Sequence, residues 1–242
     1  MSTPDSSITR SRRALHSLRS QVRPGSLYVL LVAGVLGYIL NALAITSTVG
    51  TILVQVGRLG LLFAGAYVLS ARRVMAWLGA ILAILVHTLD VVGPPLDPRV
   101  VRALQDSIAA AFLVWVLVVV LREVFRPGTT GRNAIMGALG GFLVILTIFT
   151  RVHGLIETVS PGAYRMDGEA ASARAAAADV ATFQYFSTVT MTTVGFGDIV
   201  PVAIAARLVT GLEAIVGQIY VAVVIAALVG RAAGARAADR AP

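Results

Sequence analysis

Apolar residues in this chain fall in long unbroken runs rather than at the spacing of a half-buried helix or strand. The runs cover 27–45, 49–69, 74–92, 101–121, 134–150 and 202–230, each near the ~20 residues that a helix needs to cross a bilayer. The breaks between them are chemically abrupt. Gly93-Pro94-Pro95-Leu96-Asp97-Pro98 and Pro127-Gly128 remove backbone donors and clash with any preceding turn. The pattern predicts an all-α membrane protein with six transmembrane helices. No internal repeat relates the two halves, which disfavours the transporters built from repeated halves.

Composition agrees with a chain that lives in lipid. Of 242 residues, 57% are hydrophobic and 13% charged, with a mean hydropathy of +0.84, whereas soluble domains carry roughly 25% charged residues. Six spans and their connections leave no length for a soluble enzyme domain, so the chain is read as a non-enzyme with no cofactor. The absence of cysteine removes disulfides, thiolate metal sites and a cysteine nucleophile.

A formal charge of +8 raises nucleic acid as a partner, but the positions of the arginines argue otherwise. Arg10, Arg12, Arg13, Arg19 and Arg23 precede the first run. Arg72 and Arg73 follow the second, Arg122, Arg126 and Arg132 the fourth, and Arg231, Arg236 and Arg240 the sixth. Basic connections of this kind mark the cytoplasmic side. They predict a multi-pass protein of the cell membrane with both termini inside and the connection 151–201 outside. The start also resembles a secretory signal, since Asn41-Ala42-Leu43-Ala44 offers an A-x-A cleavage site; cleavage there would leave every later span facing the same way. Residues 8–23 are weakly amphipathic and suit anionic headgroups, and 160–179 reads as a flexible outer turret.

Between the last two runs lies Phe183-Gln184-Tyr185-Phe186-Ser187-Thr188-Val189-Thr190-Met191-Thr192-Thr193-Val194-Gly195-Phe196-Gly197-Asp198. This resembles the pore helix and selectivity filter of the tetrameric potassium channels, in which TVGYG or TVGFG is followed by aspartate. The resemblance covers roughly 134–231. It implies that Thr193, Val194, Gly195, Phe196, Gly197 and Asp198 form the filter, with potassium held at Thr193, Val194, Gly195 and Phe196 and passing through as permeating ion. It also implies a re-entrant pore helix over about 180–192 and assembly with three identical subunits into a homotetramer in membrane lipid.

The chemistry has an independent reason. A dehydrated potassium ion needs a cage of oxygens in place of its water, and rings of backbone carbonyls supply one. Successive carbonyls point at one axis only if the backbone alternates between ordinary and left-handed conformations, which Gly195 and Gly197 allow. Val194 and Phe196 are expected to pack behind that axis. The pore helix then directs the negative end of its dipole at the cation. Two departures from the commonest pattern stand out. Phe196 lacks the tyrosine hydroxyl that braces the filter in relatives, and Val189 replaces a glutamate that pairs with the filter aspartate in some bacterial channels. Asp198 must therefore find another partner.

The last run, from Pro201-Val202 through Leu212-Glu213-Ala214-Ile215-Val216-Gly217-Gln218-Ile219-Tyr220, resembles the inner helix of small bacterial ion channels. Gly217 falls at their hinge position, with close helix packing the competing role. Helical spacing puts Gln218, Val221, Ile225 and Val229 on one stripe facing the cavity, where an apolar constriction near Val229 would close the pore by dewetting. Gln218 would either solvate a hydrated ion or bond to a neighbouring helix. Glu213, one turn before Gly217, is expected to support the filter's surroundings rather than face the ion.

The first four runs occupy the place of a voltage sensor. Arg99, Arg102 and Gln105 keep a three-residue spacing, but Asp106 ends the series and the remainder of that run is uncharged. Only shallow voltage dependence follows. Arg58 is costly in mid-membrane and is expected to pair with Asp106, or less favourably Asp90, as a static pair or a moving one. His87 is either a packing residue or a proton sensor. The resulting organisation is a basic cytoplasmic segment 1–26, a four-helix domain 27–126, a pore domain 134–231 and a short cytoplasmic tail 232–242, with no room at either end for a ligand-binding gating domain. Two other functions fit the same pattern, a potassium transporter subunit and a non-conducting or regulatory membrane protein that keeps the pore fold.

Overall fold

The computed structural model describes residues 25–42, 48–68, 97–126, 129, 131–166, 169–170 and 180–238, with isolated positions at 77, 81, 85 and 88. Its helices are α1 (Ser26–Ala42), α2 (Thr48–Val68), α3 (Pro98–Val124), α4 (Gly131–Val159), α5 (Val180–Met191) and α6 (Ile204–Ala238), joined by strands β1 (Tyr164–Met166), β2 (Glu169–Ala170) and β3 (Ile199–Pro201). Among the described residues three helices are long and apolar enough to cross a membrane, within Pro98–Val124, Gly131–Val159 and Ile204–Ala227. At 17 residues α1 is shorter. The predicted third run, 74–92, lies almost wholly outside the described residues, as do the side chains of Arg58, His87 and Asp90.

Helix starts and crossings follow from local chemistry. Asp97 caps α3, its side chain accepting from the Arg99 N–H at 2.8 Å, and Pro98 takes the first helical position, where no N–H is needed. Helices α1 and α2 meet where Gly37 and Gly57 face each other. A Cβ on Gly57 would stand 3.2 Å from the Gly37 Cα, so bare backbone sets how closely they cross. Leu27, Leu30, Leu61, Leu62, Phe112, Val116, Val120 and Val144 interlock in the core shared by α1 to α4.

Helix α4 runs nine residues beyond the expected end at 150. The expectation failed because Arg151, His153 and Glu157 look like a polar boundary. Each is instead held inside the fold by a specific partner. The helical architecture carries one addition that the sequence did not announce, a small antiparallel sheet of β2-β1-β3. Its register pairs Tyr164 with Pro201, Arg165 with Val200 and Met166 with Ile199, and Val202 donates to the Ala163 carbonyl at 2.8 Å. Part of the supposed turret is thus pinned to the chain that leaves the filter motif. Strands of two or three residues are too short to show a period-two pattern, which is why the sequence concealed them.

Candidate functional site

Helix α5 ends at Met191 and the chain then turns sharply. The Val194 and Gly195 N–H groups both donate to the Val189 carbonyl, at 2.8 and 3.1 Å, and the Thr193 N–H donates to the Thr190 carbonyl at 3.0 Å. Thr193, Gly195 and Gly197 have φ of 59°, 52° and 80°, while the intervening Val194 and Phe196 do not adopt positive φ. Handedness therefore alternates at every residue from Thr193 to Gly197. Threonine here accepts a conformation disfavoured by its Cβ, a feature that sequence reasoning had assigned to the glycines alone.

Every residue from Thr192 to Asp198 is exposed in the single chain. Val194 and Phe196, expected to pack behind the motif, are 52% and 70% exposed, because one chain offers too little to cover them. Phe196 does stack on Tyr185 of the pore helix, with centroids 6.4 Å apart and planes 3° from parallel. The Tyr185 hydroxyl donates to Asp198 Oδ2 at 2.8 Å, and Asp198 Oδ1 accepts from the Ile199 N–H at 3.0 Å. Tyr185 is thus the partner that Asp198 lacked once Val189 stood in the usual place, and it braces from the helix a ring that carries no hydroxyl of its own.

The opposite face of α5 is buried. Gln184 accepts from Asn41 Nδ2 at 2.9 Å and donates to the Tyr38 carbonyl at 3.0 Å, tying α5 to α1. Phe183 and Phe186 pack around Tyr164 and His153. His153 is fully buried, its Nε2 2.8 Å from Glu213 Oε2 and its Nδ1 2.5 Å from the Tyr164 hydroxyl. Glu157 accepts from the Gly162 and Tyr164 N–H groups at 2.7 and 3.1 Å. Burial first, then the negative potentials of Glu213 and Glu157, raise the Tyr164 hydroxyl above its ordinary range, so it remains a protonated hydrogen-bonding group. His153 was missed because 151–159 was counted as outer loop. The signal lay in its spacing, since His153 and Glu157 stand four apart and share one helix face.

The remaining candidates are placed as follows. Glu213 is fully buried against His153, away from the exposed filter motif. Gly217 lies within the continuous helix α6 and touches the end of α5, where an added Cβ would sit 2.7 Å from the Met191 carbonyl oxygen and 3.1 Å from its Cα. Gln218, Val221 and Ile225 are exposed in the single chain, and the Val229 side chain lies outside the described residues. Asp106 binds Arg151 at 3.1 Å in a nearly buried pair. Arg58 was expected to be its partner, but the Arg58 side chain lies outside the described residues, and the partner shown is Arg151. Arg151, near the end of the antiparallel α4, reaches Asp106 near the start of α3, an approach that the supposed loop at 151 concealed. Arg99 and Arg102 are both exposed.

The chain matches the model of one family, described as an ion channel, over residues 141–233. That span begins inside α4 and takes in the sheet, the pore helix, the alternating segment and most of α6. No curated protein and no solved structure matches the chain.

Proposed function

We propose that this membrane protein, whose residues 141–233 match an ion-channel family model, is a potassium-selective subunit conducting K+ passively through a pore built by four identical copies. The alternation of handedness through Thr193, Gly195 and Gly197 carries this reading. Alternation lets consecutive carbonyls face one side, and four such strands around an axis form the oxygen cage that replaces a potassium ion's water. Carbonyls of Thr193, Val194, Gly195 and Phe196 line that axis, and the Thr193 hydroxyl, which donates to the Thr192 carbonyl at 2.7 Å, keeps lone pairs for an ion at the inner end.

Exposure supports the need for copies. Ile204, Leu208, Leu212, Ile215 and Ile219 of α6 are between 57% and 79% exposed, and they flank the exposed filter motif in the same chain. Neighbouring subunits and lipid cover these surfaces in the assembly, with Gln218, Val221, Ile225 and Val229 left to line the cavity. Both termini lie in the cytoplasm, and the sheet and filter mouth face outward. The test is purified protein in a planar bilayer under opposed potassium and sodium gradients. A reversal potential near the potassium equilibrium value supports the proposal, and one that follows sodium equally, or no current, removes it.

A further inference from the structure

Three elements distant in sequence meet at one buried imidazole. His153 comes from α4, Tyr164 from β1 and Glu213 from α6, and the His153 ring lies against Phe183 and Phe186 of the pore helix with centroids 6.4 and 5.0 Å away. Glu213 stands one turn before Gly217, the residue whose bare Cα lets α6 touch the Met191 backbone just ahead of the filter motif. A Cβ at Gly217 would stand 2.7 Å from the Met191 carbonyl oxygen, so this approach of α6 to α5 depends on the bare Cα.

We propose that the Tyr164–His153–Glu213 chain is a positioning device that sets the rotation of α6 against the pore helix and thereby holds the filter in its potassium-selective geometry. His153 and Glu213 are positioning residues, since neither reaches the exposed motif itself. The bonding order suits the task. With Tyr164 on Nδ1 and Glu213 on Nε2, both ring nitrogens are engaged, so the imidazole cannot turn without giving up a partner in a site that water does not enter. The same ring is boxed in by Phe183 and Phe186, so the orientation of α6 is transmitted to the pore helix through packed, fully buried groups. The Glu213 carboxylate also interacts with the Ser187 side chain, so it touches the helix α5 as well as Nε2 of His153.

The inference rests on the potassium-selective reading, and its test separates the two. The combined variant His153→Leu/Glu213→Leu removes both ends of the His153–Glu213 pair, so neither is left as a lone buried charge, and it takes from the Tyr164 hydroxyl its bond to Nδ1, while Glu213→Gln keeps a hydrogen-bonding side chain in place. Each is prepared as the full chain and reconstituted in liposomes. The potassium-to-sodium permeability ratio is read from reversal potentials, and hydrogen–deuterium exchange is read across 187–197. The double apolar variant is expected to assemble, to lose about tenfold in permeability ratio and to exchange the Val194 and Gly195 amides about tenfold faster, the scale of one lost buried hydrogen bond. Glu213→Gln is expected to hold both within about twofold, since a neutral amide keeps most of that bond.

An assembled double variant with unchanged exchange and ratio overturns the proposal, as does Glu213→Gln losing as much as the double variant. Should the wild-type protein show no preference for potassium, the functional reading fails and the exchange arm alone decides the positioning role. Should the double variant fail to assemble, Tyr164→Phe decides. It removes one hydroxyl and keeps the ring against Phe183 and Phe186, and it must speed exchange at Val194 and Gly195 by about threefold or the proposal falls.

Discussion

The pore helix has two faces completed by different means. On one, Phe183, Gln184, Phe186 and Ser187 are buried against α1, α4, α6 and β1, and Gln184 uses both ends of its amide within the chain. On the other, Tyr185 and the run from Thr192 to Asp198 stand open, with the Tyr185–Asp198 bond and the Tyr185–Phe196 stack bracing the far end of the run from the helix. In the proposed assembly such a difference divides the labour of building an ion cage. The inner face would fix where the helix ends and how the motif leaves it, and the outer face would be left for identical neighbours to complete. A filter rim that one chain fully satisfied would have no reason to assemble.

The sharpest way to break the comparison is at the exposed face. Alanine at Gly195 or Gly197 would place its Cβ in open space, with nothing within 4 Å, yet at φ of 52° or 80°. The penalty is therefore conformational, about 1–2 kcal/mol in each chain, and it recurs in every copy around the axis. Both variants should insert and assemble while losing potassium selectivity or conduction altogether. Normal reversal potentials in either one would show that the alternating backbone is not the filter.

Next in size is the buried face at Gly217. Alanine there meets backbone atoms of Met191 rather than a side chain that can move, and overpacking of this kind costs about 1–3 kcal/mol. Thermal stability of the assembled protein in detergent should fall. The two roles open to Gly217 then part, since a pure hinge predicts altered open probability at unchanged stability.

What the sequence showed of all this follows the distance over which each feature is written. The motif from Thr193 to Asp198 is contiguous, so one stretch of sequence was enough to single it out, and the helix expected before it is observed as α5, ending one residue from the expected limit. The His153 cluster was not legible in this way. Its members are 11 and 60 residues apart, and charged or polar types at 151–157 mimic the end of a span when their partners are out of sight. Asp106 hid a partner in the same way, because the antiparallel packing of α3 on α4 brings it Arg151, 45 residues along the chain. Glu213 was expected to have a buried partner, since an ionisable group on an apolar helix needs one, and it lies fully buried against His153, which the sequence could not name.

A finer probe of the exposed face is Tyr185→Phe. It deletes the hydroxyl that Asp198 accepts and keeps the ring that stacks on Phe196. With solvent able to take the hydroxyl's place, the loss is about 1 kcal/mol per chain. Selectivity should persist, while potassium current during sustained opening decays faster than in the wild type. An unchanged time course would assign the bracing of the rim to neighbouring subunits rather than to Tyr185.

The smallest effect is expected from charges that touch neither face. Arg99 and Arg102 are exposed at the start of α3, Arg99 in the turn capped by Asp97, where the positive end of the helix dipole already discourages a cation from moving inward. Below them Gln105 is uncharged and Asp106 is committed to Arg151, so nothing continues the series through the field. A charge crossing the whole membrane contributes roughly 2.3 kcal/mol per 100 mV, and two that remain at an interface contribute a small part of that. Neutralising both to glutamine should leave the conductance–voltage relation nearly unshifted in slope and midpoint. A large loss of slope would mean that α3 moves with its arginines, and since Asp106 holds Arg151 on α4, that movement would pull on the helix that carries His153 and so reach the buried face of the pore helix after all.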